Sequence, residues 1–210
     1  MSRILYFFHQ KELSLRIVLA TSNKGKVEEI KKIIQYVEVV PYTELMEGFD
    51  IEEHGDTFKK NAIIKSETIY EKLDDKDSIV LSDDSGISVE ALEWEPGIYS
   101  ARYAKVGASD KENLEFLIKN LKDKNLNSSK AFYTCAIAIT STYGTFTTHG
   151  YIHGLVIDTP RGDNGFGYDP IFIPQDFDKT LGELPWEVKK DISHRGKALE
   201  LARIILRAII

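Results

Sequence analysis

One cysteine, Cys135, is all that the chain's 210 residues contain. An intramolecular disulfide is therefore excluded. No Cys/His spacing suggests zinc, so a reducing, cytoplasmic setting is expected. The thiol lies in an apolar run, where a buried packing role is expected. Positive charge is also in short supply: 27 Lys and Arg stand against 33 Asp and Glu, a formal net charge of −6. That balance argues against a nucleic-acid polymer or a membrane surface as partner, because such binders are normally basic. It leaves room for a local basic pocket around a small anion. No apolar stretch reaches the roughly 18 residues of a membrane span. The run Ile4 to Phe8 falls short of a signal-peptide core of about 7–15 residues. Residues 1–14 read as an N-terminal extension, followed by a single domain over 15–210. Repeats, low-complexity tracts and linkers are absent.

What is present alternates strand and helix. "LRIVLA" (Leu15 to Ala20) is a short β-branched run of the buried-strand type. A polar turn, "TSNKGK", leads to a helix with Val27, Ile30, Ile33 and Ile34 on one face, then to a strand over Val37 to Val40. A second helix is expected over Thr57 to Leu73, and "SIVLSDDSG" reads as a strand ending in two acids, a serine and a glycine. Ser109 and Glu112 form a capping-box pattern before a third helix. "AFYTCAIAIT", the turn "STYG" and "TFTTHGYIHGLVI" read as a long β-hairpin. Ser193 is a plausible N-cap for the last helix. The fold class is α/β with a mixed β-sheet and flanking helices.

Four loops are richer in polar residues and glycine than a connection requires. Thr21, Ser22, Asn23, Lys24, Gly25 and Lys26 lie between a strand and a helix, where backbone N–H groups and the helix dipole favour an anion. The loop is not a Walker A motif, because Ala20 and Val27 occupy the positions where Gly and Ser/Thr would be needed. Asp83 and Asp84 are adjacent on a strand and so point to opposite faces, which lets at most one aim into a given cleft. Mg²⁺ is usually held by one or two carboxylates plus substrate phosphates, and "IEEHGDTF" offers Glu52 and Glu53 as a second source. "KKDISHRG" gathers Lys189, Lys190, His194 and Arg195 around a helix start, where positive charge opposes the dipole unless acceptors compensate it. "GDNGFGYDP" packs three glycines, two aromatics and two aspartates into nine positions.

Taken together and in this order, "LATSNKGKVEEI", "GDTFKKNAIIK", "DDSGISVEAL", "PGIYSARY", "GDNGFGYDPIF", "KTLGEL" and "ISHRGKAL" resemble the inosine triphosphate pyrophosphatase family. The resemblance implies an elongated two-lobed fold around a long central mixed sheet, a nucleotide cleft between the lobes, and a homodimer. It implies Mg²⁺-dependent hydrolysis of ITP, dITP or XTP to the monophosphate and pyrophosphate, which cleanses the nucleotide pool. Carried over, Thr21 to Lys26 is the phosphate loop, and Asp84 is the general base and a metal ligand. Glu52, three before Gly55, is the other metal ligand. Ser85, Phe166, Gly167, Tyr168, Asp169, Lys189, His194 and Arg195 are substrate contacts. Gly162-Asp163-Asn164-Gly165 departs from the Gly-Thr-Gly-Gly that closely related sequences often carry. A non-hydrolytic nucleotide-binding regulator and a pyrimidine-directed pyrophosphatase are the competing readings.

Overall fold

The computed structural model describes residues 16–210; the expected extension lies outside the described residues. β1 (Arg16–Leu19), α1 (Lys24–Ile33) and β2 (Glu38–Pro41) form the first unit. They are followed by α2 (Phe58–Lys72), β3 (Ile79–Val89), α3 (Asp110–Asp123) and the paired β4 (Ser128–Ser141) and β5 (Gly144–Ile157). The chain closes with β6 (Phe172–Pro174), α4 (Trp186–Ile192) and α5 (His194–Ile209). Local signals fix several of these ends. Thr57 caps α2, Ser193 caps α5, and Ser109 with Glu112 makes a full capping box on α3, each satisfying backbone donors that would otherwise be orphaned.

The six strands lie in the order β2-β1-β3-β4-β5-β6. β1 runs parallel to both β2 and β3, whereas the β3–β4, β4–β5 and β5–β6 pairs are antiparallel, so the sheet is mixed as expected. β3 does not stop at its acids. It continues to Val89 because β4 pairs with it residue by residue from Val80 to Val89. β1 covers only Ile79 to Leu81 on the other edge. Beyond Leu81 no strand among the described residues pairs with that edge, and there a cleft opens.

The two faces of the sheet have different covers. Alternate residues Ile17, Leu19, Leu81, Ile137 and Ile139 pack against α1 and α5, in one buried cluster with Ile30, Leu199 and Leu206. Val18, Ala20 and Val80 pack the opposite face against Ile69 of α2. A separate core at the far end of the long hairpin joins Ile87, Val89, Tyr133, Ile152 and Phe172 to Leu117 of α3. Asp83 and Asp84 therefore fall between two cores. They also lie just past the C-terminal end of β1, between the helix that follows β1 on one face and the crossover helix on the other. Ligands of open α/β sheets bind at such topological switch points.

α5 seats tightly on β5 because Gly150 has no side chain. A Cβ there would overlap the His194 carbonyl oxygen and lie 2.6 Å from the Ala198 nitrogen. Gly150→Ala should cost about 1–3 kcal/mol or more through overpacking. Chemical denaturation checks this; an unchanged midpoint would be incompatible with the close approach.

Candidate active site

The cleft is a cavity of about 320 Å³ bounded by the start of α1, the middle of β3, α2, the aromatic loop and the α4–α5 junction. One wall is the first turn of α1. That helix begins at Lys24, inside the stretch read from sequence as a turn, because Asn23 is its N-cap: the Asn23 side chain accepts from the Lys26 backbone at 3.0 Å. The Lys24 and Gly25 N–H groups have no intrahelical acceptor. Thr21, Ser22, Asn23 and Lys26 line the cavity; Lys24 and Gly25 do not. Lys24 is exposed, and Gly25 lies under Phe166, whose Cδ1 would be 2.9 Å from an added Cβ.

The adjacent aspartates have opposite environments, as strand alternation requires. Asp83 faces the α1–α5 side and is fully enclosed. Its carboxylate pairs with Lys26 Nζ at 2.6 Å and with Arg195 Nη2 at 3.0 Å. Burial alone would push its carboxyl up, but Arg195, Lys26 and Lys65 outweigh that and hold it far below the usual carboxylate range. Cys135, buried as expected, has its Sγ 3.5 Å from Asp83 Oδ2, and burial pushes the thiol well up. Asp84 faces α2 and the cavity. Its Oδ1 accepts from Lys65 Nζ at 2.8 Å, while Oδ2 is buried without a hydrogen-bond partner. Burial pushes the Asp84 carboxyl above its ordinary value against the opposing charges of Lys65 and Lys26, with Glu53 reinforcing the rise. Two identical residues side by side thus become a locked ion-pair member and an available base, the pattern by which carboxylate roles separate.

Glu52 is not where the resemblance put it. The side chain is exposed and outside the cavity wall, whereas Glu53 lines the cavity and lies 3.3 Å from Lys65 Nζ. In this loop the adjacent acid takes the inward place. Lys65 bridges Glu53 and Asp84. Burial works against its ammonium, but the Asp84, Glu53 and Asp83 charges together keep it protonated.

The base-sized end of the cavity is built from the remaining segments. Phe166 lies beneath two cations, with Lys189 Nζ 5.4 Å and Arg195 Cζ 5.3 Å from its ring centroid. Asp169 is buried and closes its own loop: Oδ2 accepts from the Phe166 N–H at 2.9 Å and from Lys189 Nζ at 2.7 Å. Gly165 makes that possible, since its φ is +81° and a side chain would strike Asp169 and Lys189. Glu29, which the sequence reading did not select, accepts from Lys189 Nζ at 2.6 Å and pairs with Arg195. Ser85 accepts from Arg195 Nη2 at 3.0 Å. His194 stacks on Tyr133, centroids 4.4 Å apart and planes 6° from parallel. Burial first, then the Arg195 charge, drives its pKa well below the ordinary value, so the ring is neutral, and its Nδ1 has no partner. Gly167 and Tyr168 line the cavity too, but the Tyr168 hydroxyl is spent on the Ser100 carbonyl at 2.8 Å.

No group of three or more His, Cys, Asp or Glu among the described residues is arranged to hold a metal alone. The donor set nevertheless fits a hard cation that completes its shell with phosphate and water. Asp84, whose Oδ2 is buried without a hydrogen-bond partner, and Glu53 both line the cavity. Charge points the same way. Five cationic side chains (Lys26, Lys65, Arg102, Lys189, Arg195) and six carboxylates (Glu29, Asp50, Glu53, Asp84, Asp110, Asp169) line the cavity, a formal balance of −1. A phosphate chain entering it needs added positive charge.

Comparison with known proteins places the chain in a family. A model of the Ham1 family matches residues 17–204. The dITP/XTP pyrophosphatase of Nautilia profundicola is 62% identical over 195 residues, covering 93% of this chain and 99% of the relative. That of Campylobacter jejuni is 52% identical over 198 residues, covering 93% and 98%. The Ham1 protein of Staphylococcus aureus superposes with a TM-score of 0.79 at 41% identity, over 92% of this chain and 98% of that one. The family match and these relatives extend along nearly all of the described residues: the chain belongs to the Ham1 family.

Proposed function

We propose that the protein hydrolyses non-standard purine nucleoside triphosphates (ITP, dITP and XTP) to the monophosphate and pyrophosphate. The observation that carries this reading is Asp84: a buried carboxylate with one free oxygen, between a helix N-terminus and a pocket holding cationic donors over an aromatic ring. The dITP/XTP activity named for the relatives supports it.

The triphosphate lies against the α1 N-terminus, where the helix dipole and the cavity-lining Thr21, Ser22, Asn23 and Lys26 receive phosphate oxygens. Mg²⁺, held by Asp84, Glu53 and the substrate phosphates, would neutralise phosphate charge and raise the electrophilicity of the α-phosphorus. Asp84 accepts the proton of the attacking water as general base, and the pyrophosphate leaves. Lys65 holds the Asp84 carboxylate in one orientation through Oδ1, leaving Oδ2 for the reaction. Most of the rate gain is positioning and electrostatics.

Selection of the base follows from protonation. Hypoxanthine and xanthine present an acceptor at C6, where adenine presents an amino donor. Lys189 and Arg195 are donors that never become acceptors at neutral pH, because Glu29, Asp83 and Asp169 keep them charged. Adenine would set its amino group, donor against donor, toward these cations, the kind of mismatch that discriminates strongly. A cytoplasmic homodimer belongs to the same reading.

Pyrophosphate release from ITP, dITP, XTP, GTP, ATP and dUTP, with and without Mg²⁺, tests this. Turnover is expected for the first three and not for ATP or dUTP, and only with the ion; GTP, which shares the C6 acceptor, measures the effect of the 2-amino group. Absence of release from all six would favour a nucleotide-binding regulator; preference for dUTP would favour the pyrimidine reading.

A further inference from the structure

Four of the five cations lining the cleft are already matched by carboxylates: Lys26 by Asp83, Lys65 by Glu53 and Asp84, Lys189 by Glu29 and Asp169, Arg195 by Glu29 and Asp83. Arg102 lines the same cavity and, among the described residues, has no carboxylate partner. Its guanidinium lies 5.2 Å from the centroid of the Tyr99 ring, a contact that orients the plane without neutralising the charge.

The mount is firm. Arg102 ends a short 3₁₀ segment, Gly97–Arg102. Ser100, two residues earlier, donates to the Gly97 carbonyl at 2.6 Å and accepts from the Ile87 N–H of β3 at 2.9 Å. The Ser100 carbonyl receives the Tyr168 hydroxyl of the aromatic loop. The backbone carrying Arg102 is therefore tied to the strand that bears Asp84 and to the loop that bears Phe166.

We propose that Arg102 is a further substrate-binding residue and grips the phosphate chain of the nucleotide. This rests on the reading of the cleft as a nucleoside-triphosphate site. In ITP and dITP the purine and the sugar are uncharged at neutral pH, so the phosphate chain is the anionic partner those substrates offer. A guanidinium keeps its proton at any working pH and can fork onto two phosphate oxygens. The four paired cations must share or surrender a carboxylate to contact phosphate; Arg102 surrenders nothing.

Isothermal titration of the wild-type chain, Arg102→Gln and Arg102→Lys with inorganic tripolyphosphate, at fixed Mg²⁺, tests the contact without base or sugar. Inosine is titrated in parallel. Arg102→Gln should weaken tripolyphosphate about tenfold or more, the loss expected of a charge-assisted hydrogen bond, and leave inosine within about twofold. Arg102→Lys should fall between, with the thermal midpoints of both variants unchanged. Tripolyphosphate affinity unchanged in Arg102→Gln, or inosine weakened to the same degree, overturns the proposal. A wild-type chain that binds no tripolyphosphate would instead overturn the triphosphate reading of the cleft, and this inference with it.

Discussion

Asp84→Asn is expected to lower kcat for ITP hydrolysis by about 10²–10⁴-fold, the usual worth of a positioned general base, with little change in thermal midpoint. Asparagine keeps an oxygen that can accept from Lys65, and Lys65 retains Glu53 at 3.3 Å as counter-charge. The substitution also relieves the burial that pushes the Asp84 carboxyl up. These effects oppose one another, so the fold is nearly indifferent while the chemistry is not. The neighbouring Asp83→Asn should behave in the opposite sense. Asp83 lies outside the cavity lining and answers two cations, the half-buried Lys26 and the buried Arg195. Removing its charge leaves Lys26 without a carboxylate and Arg195 with Glu29 alone, a loss that approaches the scale of about 3–5 kcal/mol for breaking a buried pair. Steady-state kinetics and calorimetric melting of the two variants separate the roles. A near-normal kcat in Asp84→Asn would sink the base assignment, and a kinetic defect without instability in Asp83→Asn would show that the two acids share the chemistry.

Much of this arrangement could be read from sequence because its determinants are local. Ser109 with Glu112 and Ser193 signal helix starts within four residues of themselves and cap as expected, while Thr57, expected as the first residue of its helix, is its N-cap. Alternation along β3 already implied that only one of Asp83 and Asp84 could face the cleft. What escaped is set by distant partners. The continuation of β3 to Val89 depends on β4, some fifty residues away. α4, whose seven residues carry Lys189 inward, has no side-chain cap to announce it. Glu29 looks like one more helix acid until Lys189 and Arg195 arrive from the other end of the chain. Lys65 did leave a signal: it shares a helical face with the buried Asn61, Ala62 and Ile69, a cation in an inward row. The choice between Glu52 and Glu53 had no such signal, because the spacing to Gly55 does not say which of two adjacent side chains turns inward.

Arg195→Ala should cost the fold about 3–5 kcal/mol, the penalty for stripping one partner from a buried ion pair, out of a total stability of roughly 5–15 kcal/mol. Arg195 is 3% exposed and serves two buried carboxylates, Glu29 and Asp83, so its loss uncovers charge on both. His194, a neutral ring whose Nδ1 has no partner in the same cavity wall, uncovers no charge when removed, so His194→Ala tests whether this side chain also contributes to base selection without the cost to the fold. The same network has a pH signature. Burial works against ionised Glu29, but Arg195 and Lys189 more than compensate and hold its carboxyl below the ordinary value. A depressed folded pKa means the stabilisation is complete above the unfolded value of about 4.3. It is then lost as pH falls through the folded value. Glu29→Gln should therefore melt well below the wild type at pH 7, and the gap should narrow as both are taken below pH about 4. A gap that stays constant from neutral to acid pH would mean that Glu29 stabilises the site by shape and hydrogen bonding rather than by its charge.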